Sequence, residues 1–586
     1  MPHGGDLVAE ILRKHGVTQV FGQPGGQTAA FYQGLANRKD MSHLGCRDER
    51  SAAYAADAYA RVSGKPGIVD VTVGPGTTKL PDGLIESMNA SVPIVAVVGE
   101  LPRSWVPLRD GGVGSQGFDQ MPFLQTMTKQ SWLAPDLETV PDLMRAAFRT
   151  ATTGKPGPTA VVIPHDVIDE EWEETDLQVE ERFNSAPAYR SRPSDDELRT
   201  AAALIAKAER PYIIAGGGVL GSRATAELAE FATLVGAAVG TSFTGKGSVT
   251  ETESYSVGVL NPLGSQSARE LAGEADLIVW LGSKVGQNTS LNWALPRPEQ
   301  MTIQVDVDGS QLGRTFGPSV GLLGDVKATL EALIPLVTAK SVPEWQKRIA
   351  ESKDAAWAST EPLRLSEASP VMPPRAMTEL AKHLRPHDIV VSDASFSAGW
   401  ISNYLKNPVP GRNFLFARGQ GGLGYSTPAS MGAAKARPEA RIVTVSGDGG
   451  FSYSVGELAT QAAHGMNIVH VVLNNGTWGW LRMWEHLHYE GLRYSVDLES
   501  EKASTSYAAA AAGLGMQGIL VTSADELASA FDKAFSTEGP TVVEIRIDPD
   551  ATPIDSYTRR LASGKFYPRP GTVYQARPWQ QSAGRK

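Results

Sequence analysis

The chain has 586 residues, 41% hydrophobic and 20% charged, with a formal net charge of −10. At roughly 150 residues per domain that length predicts three or four cores, and the acidic balance excludes a general nucleic-acid surface. One cysteine, Cys46, excludes an internal disulfide and a cysteine-rich metal site, and no apolar run approaches the ~18 residues of a membrane span. The expectation is a cytoplasmic enzyme with a small-molecule substrate and neither nucleic-acid nor membrane partners.

In chain order, the first unit carries a glycine turn, FGQPGG (21–26), an alanine-rich helical stretch, RDERSAAYAADAYARVSGKPG (47–67), and a second turn, GPGTTK (74–79). It ends in MRAAFRTATTGKPGPTAVVIP (144–164): a helix, a Gly-Pro-Thr turn and a β-branched strand. The same series returns in LASAFDKAFSTEGPTVVEIRI (527–547). This echo predicts two similar α/β domains, over 1–185 and 365–550. Polar, proline-bearing stretches near 184–195 and 338–370 border a unit at 190–340, where PYIIAGGG (211–218), DLIVWLG (276–282) and TIQVDVD (302–308) read as strands of a further α/β domain. The fold class is therefore α/β, three α/β domains with parallel sheets, followed by a tail. Residues 556–586 contain no acid and seven cations among Pro, Tyr, Phe and Trp.

The most informative stretch is GDGGFSYSVGELATQAAHGMNIVHVVLNN (447–475). RIVTVS (441–446) and NIVHVVL (467–473) read as parallel strands buried on both faces, joined by a helix over about 454–463. Their carbonyl ends open on one side, so Asp448 and Asn475 meet there. A carboxylate, an amide and the Thr477 backbone carbonyl form a hard oxygen set that suits Mg²⁺ once phosphate oxygens complete the shell. Gly449 and Gly450 leave backbone N–H groups facing that phosphate at a helix start.

The GDG and NN pair, with the order of the blocks around it, resembles the three-domain acetolactate synthase superfamily of thiamine diphosphate (ThDP) enzymes. The resemblance implies ThDP and Mg²⁺ as cofactors, a pyrimidine-binding first domain, a central nucleotide-binding-like domain and a diphosphate-binding last domain. Glu49 is then the carboxylic group on the aminopyrimidine N1′, needed so that the cofactor can lose its C2 proton. Leu423, in GQGGLGYSTP (419–428), is the wedge that bends the cofactor, and Ser395, Phe396 and Ser397 occupy the diphosphate-loop position. Gly217, Gly218, Lys284, Asp306 and Asp325 fall where family members bind adenosine phosphates, which implies ADP or a non-redox FAD. A homodimer or homotetramer with shared active sites is implied as well.

Substrate clues come from departures. Many acetolactate synthases have Phe-Gln-Glu where this chain has Ser115-Gln116-Gly117, leaving Gln116 as an orienting donor. The segment 474–495 carries Glu490, placed to take a substrate hydroxyl proton. In the related oxalyl-CoA decarboxylase and 2-hydroxyacyl-CoA lyase branch a C-terminal segment closes over coenzyme A, and Arg559, Arg560, Arg569 and Arg577 suit its phosphates and adenine. The expectation is a lyase that cleaves the C1–C2 bond of a 2-hydroxyacyl-CoA to formyl-CoA and a ketone or aldehyde, with an acyl-CoA as substrate. The alternative is an acetolactate synthase-like 2-oxoacid decarboxylase and carboligase. An alternative of another class is a catalytically silent nucleotide-binding protein.

Overall fold

A computed structural model describes residues 2–489, 491–500 and 502–553. Three six-stranded parallel sheets follow one another along the chain. The first contains β1 (Gln19–Gly22), β2 (Ser42–Gly45), β3 (Gly67–Val71), β4 (Ile94–Glu100), β5 (Gln130–Leu133) and β6 (Pro158–Pro164) in the order 2-1-3-4-6-5. The second contains β7 (Pro211–Ala215), β8 (Ala238–Thr241), β9 (Ser256–Val259), β10 (Leu277–Leu281), β11 (Met301–Asp306) and β12 (Val320–Leu323) in the order 12-11-10-7-8-9. The third contains β13 (Ile389–Ser392), β14 (Phe414–Phe416), β15 (Ile442–Gly447), β16 (Ile468–Asn474), β17 (Gln517–Val521) and β18 (Thr541–Arg546) in the order 14-13-15-16-18-17. The first and third sheets thus repeat one strand order, as the Gly-Pro-Thr echo predicts. The middle sheet has the doubly wound order in which each half runs outward from its first strand.

The central strands are buried on both faces, which is why they read as continuous apolar runs rather than alternating ones. The connection between β15 and β16 differs from its expected form. One short helix, Asp448–Ser452, starts directly after the strand, and a second, Glu457–Ala463, follows a turn. Gly447 in extended conformation caps the first, so the acidic residue opens a helix instead of sitting in a loop.

The first and third domains share one core. The helix Glu49–Ser63 begins at Asp48, whose side chain accepts from the Arg50 N–H, and stops at Gly64 with φ +74°. Its alanine-rich face packs on the helix Ser426–Ala436. A Cβ on Gly432 would stand 1.9 Å from the Ala55 carbonyl oxygen, so only glycine permits this approach. Tyr425 donates to Asp57 at 2.8 Å, and Arg61 pairs with Asp57 at 2.7 Å and Glu86 at 2.9 Å, all buried. Removing one partner from such a buried cluster costs about 3–5 kcal/mol.

Candidate active site

A cavity of about 380 Å³ opens at the carbonyl ends of β13, β15 and β16. Ser395, Phe396, Ser397, Leu423, Asp448, Gly449, Gly450, Asn475 and Thr477 all line it, so every residue assigned to diphosphate and metal is brought together. Asp448 Oδ2 accepts the Gly476 N–H at 2.9 Å, and Asn475 Oδ1 accepts the Thr477 N–H at 3.2 Å. Burial pushes the Asp448 carboxyl up to about 6. A bound divalent cation would oppose that shift. Among the described residues no group of three His, Cys, Asp or Glu side chains could hold a metal ion. One carboxylate, one amide and one carbonyl instead suit a Mg²⁺ whose remaining positions are filled by phosphate oxygens. Glycines leave that room: a Cβ on Gly449 would lie 2.4 Å from the Trp478 ring and one on Gly450 2.7 Å from Asp393. The residues present therefore fit Mg²⁺ and a diphosphate.

The loop after β13 is held tightly. Ser395 has φ +72°, uncommon for a residue with a side chain, and its carbonyl accepts from Arg418 Nη2 at 3.3 Å. The Ser397 hydroxyl donates to the carbonyls of Asp393 and Ala394, both at 2.9 Å, so it braces the loop from within. Phe396 meets Trp480 edge-on, with ring centroids 5.7 Å apart, and Trp480 stacks on Trp484 at 6.2 Å. The Phe396 and Trp480 rings form an apolar wall of the cavity.

Among the described residues, none of the first domain lines this cavity. Glu49 lies in a second cluster, 5% exposed, with its Oε2 3.1 Å from Lys79 Nζ. The hydrogen bond to Glu49 raises the Lys79 ammonium above its usual range. Gln27 donates to Gln116 Oε1 at 3.3 Å and accepts from Thr72 at 2.7 Å. Gln116 has φ +67°, and its carbonyl lies 2.3 Å from where a Gly74 side chain would begin. The opening loop, the GPGTTK turn and Gln116 are therefore drawn together in the first domain. Lys79 was missed by sequence reasoning, although it sits in a turn already singled out. Glu490 and Arg559, Arg560, Arg569 and Arg577 fall outside the described residues.

A larger cavity, about 720 Å³, lies where the three domains meet, and Gly217, Gly218, Lys284, Asp306 and Asp325 all line it. Lys155, Arg223, Arg412, Arg418 and Arg437 join them, so cations outnumber acids. Burial brings Arg412 and Arg418 down to about 10 and Lys284 down to about 8, and it raises Asp306. Such a concentration of partly desolvated cations suits a polyanion. Two of the five have structural duties. Asp325 caps a helix through the Ala328 N–H and pairs with Arg190 at 2.7 Å, while Gly218 permits close approach to Gly282.

Comparison with known proteins agrees with this layout. The thiamine pyrophosphate enzyme N-terminal TPP binding domain matches residues 2–127, the central domain 198–333 and the C-terminal TPP binding domain 393–545. The chain is 30% identical over 557 residues to a probable acetolactate synthase large subunit of Methanocaldococcus jannaschii, covering 93% of this chain and 92% of that protein. It is also 30% identical over 552 residues to the acetolactate synthase isozyme 2 large subunit of Escherichia coli, covering 93% and 96%. A third relative, the acetolactate synthase large subunit of Parasynechococcus marenigrum, is 28% identical over 93% of this chain and 87% of its own. No helix among the described residues is long and apolar enough to cross a membrane. With its three domains, its glycine-floored diphosphate cavity and relatives matched along nearly their whole length, the chain belongs to the thiamine diphosphate enzymes of the acetolactate synthase superfamily.

Proposed function

We propose that the protein is a Mg²⁺-dependent ThDP enzyme that decarboxylates a 2-oxoacid and joins the product to a second carbonyl compound, as an acetolactate synthase does. The observation that carries this reading is the likeness to acetolactate synthase large subunits across 93% of the chain. The expected 2-hydroxyacyl-CoA lyase drew its specific support from Glu490 and the basic tail, and the relatives favour the carboligase over it.

Bound ThDP supplies an electron sink for the carbon that loses its carboxylate. The chain's own residues do the rest. Asp448, Asn475 and the Thr477 carbonyl would hold Mg²⁺, and the glycine turn 449–450 would donate N–H groups to the diphosphate. Leu423, which lines the same cavity, would pack against the cofactor. Glu49 would hold and return the proton at the pyrimidine N1′, with Lys79 fixing its carboxylate in the absence of cofactor. Gln116 would orient a reacting carbonyl oxygen by donating from its amide. The Phe396 and Trp480 wall would keep water from the reacting carbon and suits the short aliphatic end of a 2-oxoacid. Because Glu49 does not line the diphosphate cavity of its own chain, a complete site is formed when two chains place the first domain of one against the third domain of the other. The electropositive central cavity suits an adenine nucleotide, either ADP or the ADP part of a non-redox FAD.

Mass spectrometry of products from pyruvate and from a panel of 2-hydroxyacyl-CoA esters tests this directly. Acetolactate from pyruvate is expected. Cleavage of the esters, with pyruvate untouched, restores the lyase and ends the carboligase reading.

A further inference from the structure

The segment that carries Leu423 to the diphosphate cavity runs from β14 to the helix Ser426–Ala436 and contains glycines at 419, 421, 422 and 424. Gly421 and Gly424 have φ +86° and +82°. A glycine-rich strand of this kind has many conformations available and would not by itself hold a side chain still. Two carboxylates grip it. At the far end Asp393 accepts the Gly424 N–H at 3.1 Å, the Ser426 N–H at 2.9 Å and the Ser426 hydroxyl at 2.9 Å.

At the near end the grip comes from another domain. Glu86, on the helix Pro81–Ala90 of the first domain, takes four successive backbone N–H groups. Those of Arg418 (3.0 Å) and Gly419 (2.7 Å) donate to Oε1, and those of Gln420 (2.7 Å) and Gly421 (3.3 Å) donate to Oε2. Successive N–H groups converging on one anion form a nest, here closed by a carboxylate more than 300 residues away in sequence. Arg61 Nη2 donates to the same carboxylate at 2.9 Å, and Glu86 is 1% exposed. The backbones touch as well: a Cβ on Gly419 would lie 2.2 Å from the Glu86 carbonyl oxygen. Gly422 and Leu423 lie between the two grips.

We infer that Glu86 is a positioning residue that sets how far Leu423 reaches into the cofactor cavity, so that docking of the first domain on the third governs cofactor geometry. The inference rests on the ThDP reading for its consequence, though not for its structural content. A carboxylate is required because all five partners, the four N–H groups and Arg61, are donors. In Glu86→Gln the amide turns a donor toward two N–H groups, and in Glu86→Asp the shorter arm reaches the same partners only in part.

The test uses full-length Glu86→Gln, Glu86→Ala and Glu86→Asp, with Leu423→Ala as the reference for a lost wedge. Amide hydrogen exchange over 418–425 should accelerate at least about tenfold in the Gln and Ala variants. The C2 proton exchange rate of bound ThDP, measured by NMR per mole of cofactor bound, should fall about 100-fold, as it should in Leu423→Ala. Glu86→Asp should recover part of both. A merely structural role would lower the melting temperature without changing the rate per bound cofactor. Unchanged amide exchange at 418–421 in both the Gln and Ala variants overturns the grip. Loosened amides with a wild-type C2 exchange rate overturn the positioning role. If the wild type binds no ThDP, the functional reading fails, and amide exchange alone decides whether Glu86 shapes the segment. Should Glu86→Ala not fold, the isosteric Gln variant carries the same decision.

Discussion

The first and third domains repeat one strand order yet use the same end of the sheet in opposite ways. After β3 the first domain has the GPGTTK turn and presents side chains: Lys79 on Glu49, Gln27 on Gln116. After β15, its counterpart, the third domain has GDGG and presents backbone, with a helix starting at Asp448 and glycines where side chains would obstruct. A diphosphate is bound by N–H groups and a metal, whereas a pyrimidine ring nitrogen needs one carboxylic group. On the proposed function, duplicated architecture would yield two complementary half-sites, because the loops and not the sheet decide the chemistry. The surroundings differ too: Glu49 has the Lys79 ammonium beside it, while burial pushes the Asp448 carboxyl up to about 6.

The sharpest break of this comparison is removal of the metal half-site. Asp448→Ala and Asn475→Ala should each weaken Mg²⁺-dependent ThDP binding at least about 100-fold by calorimetry, the cost of a lost hard ligand. Unchanged affinity would remove these residues from the metal site. Glu49→Gln should act on the other half alone: ThDP still binds, while C2 proton exchange slows about 10²–10⁴-fold, since an amide cannot exchange the N1′ proton. Wild-type exchange in that variant would take Glu49 out of the mechanism.

How much of this was legible in sequence depends on distance along the chain. The Asp448–Asn475 pair was readable because two buried parallel strands must bring their carbonyl ends to one place, whatever else the chain does. The helix between them was expected over 454–463 and is observed in two pieces, since periodicity does not reveal that Gly447 caps a short turn first. The five residues assigned to the central cavity do line it, but the cations Arg412, Arg418 and Arg437 come from another domain and left no local signal. Glu86 and Asp393 were illegible for the same reason: their partners are backbone N–H groups in glycine-rich sequence, which carries no mark of what it binds.

Titration separates the halves further. A metal ligand must be ionised, so with Asp448 near 6 the proton competes with Mg²⁺ increasingly as pH falls through that value. Mg²⁺-dependent ThDP affinity should therefore be flat above about pH 7 and drop roughly tenfold per unit below about 6. For stability of the apoprotein the sign is the reverse of the usual acidic case. The folded state binds this proton more tightly than the unfolded chain, whose carboxyl titrates near 3.8, so the site disfavours folding increasingly as pH rises from 3.8 to about 6. Asp448→Asn should remove that dependence in thermal melts. A melting curve with the same pH profile in wild type and variant would show that Asp448 is not the titrating group.

The smallest effect belongs to Lys79, and its smallness is the point. The ammonium is nearly half exposed, with 46% of its side chain accessible, so solvent screens its pairing with Glu49. Lys79→Ala should cost only about 0.2–1 kcal/mol, in line with exposed ion pairs, and leave the fold intact. Its consequence is functional. If Lys79 fixes Glu49 only until the cofactor arrives, the alanine variant should bind ThDP at least as tightly as wild type, because no ion pair must be broken. A loss of ThDP affinity beyond about tenfold would mean that the ammonium stays engaged in the complete site. The first-domain half would then contribute a cation as well as an acid.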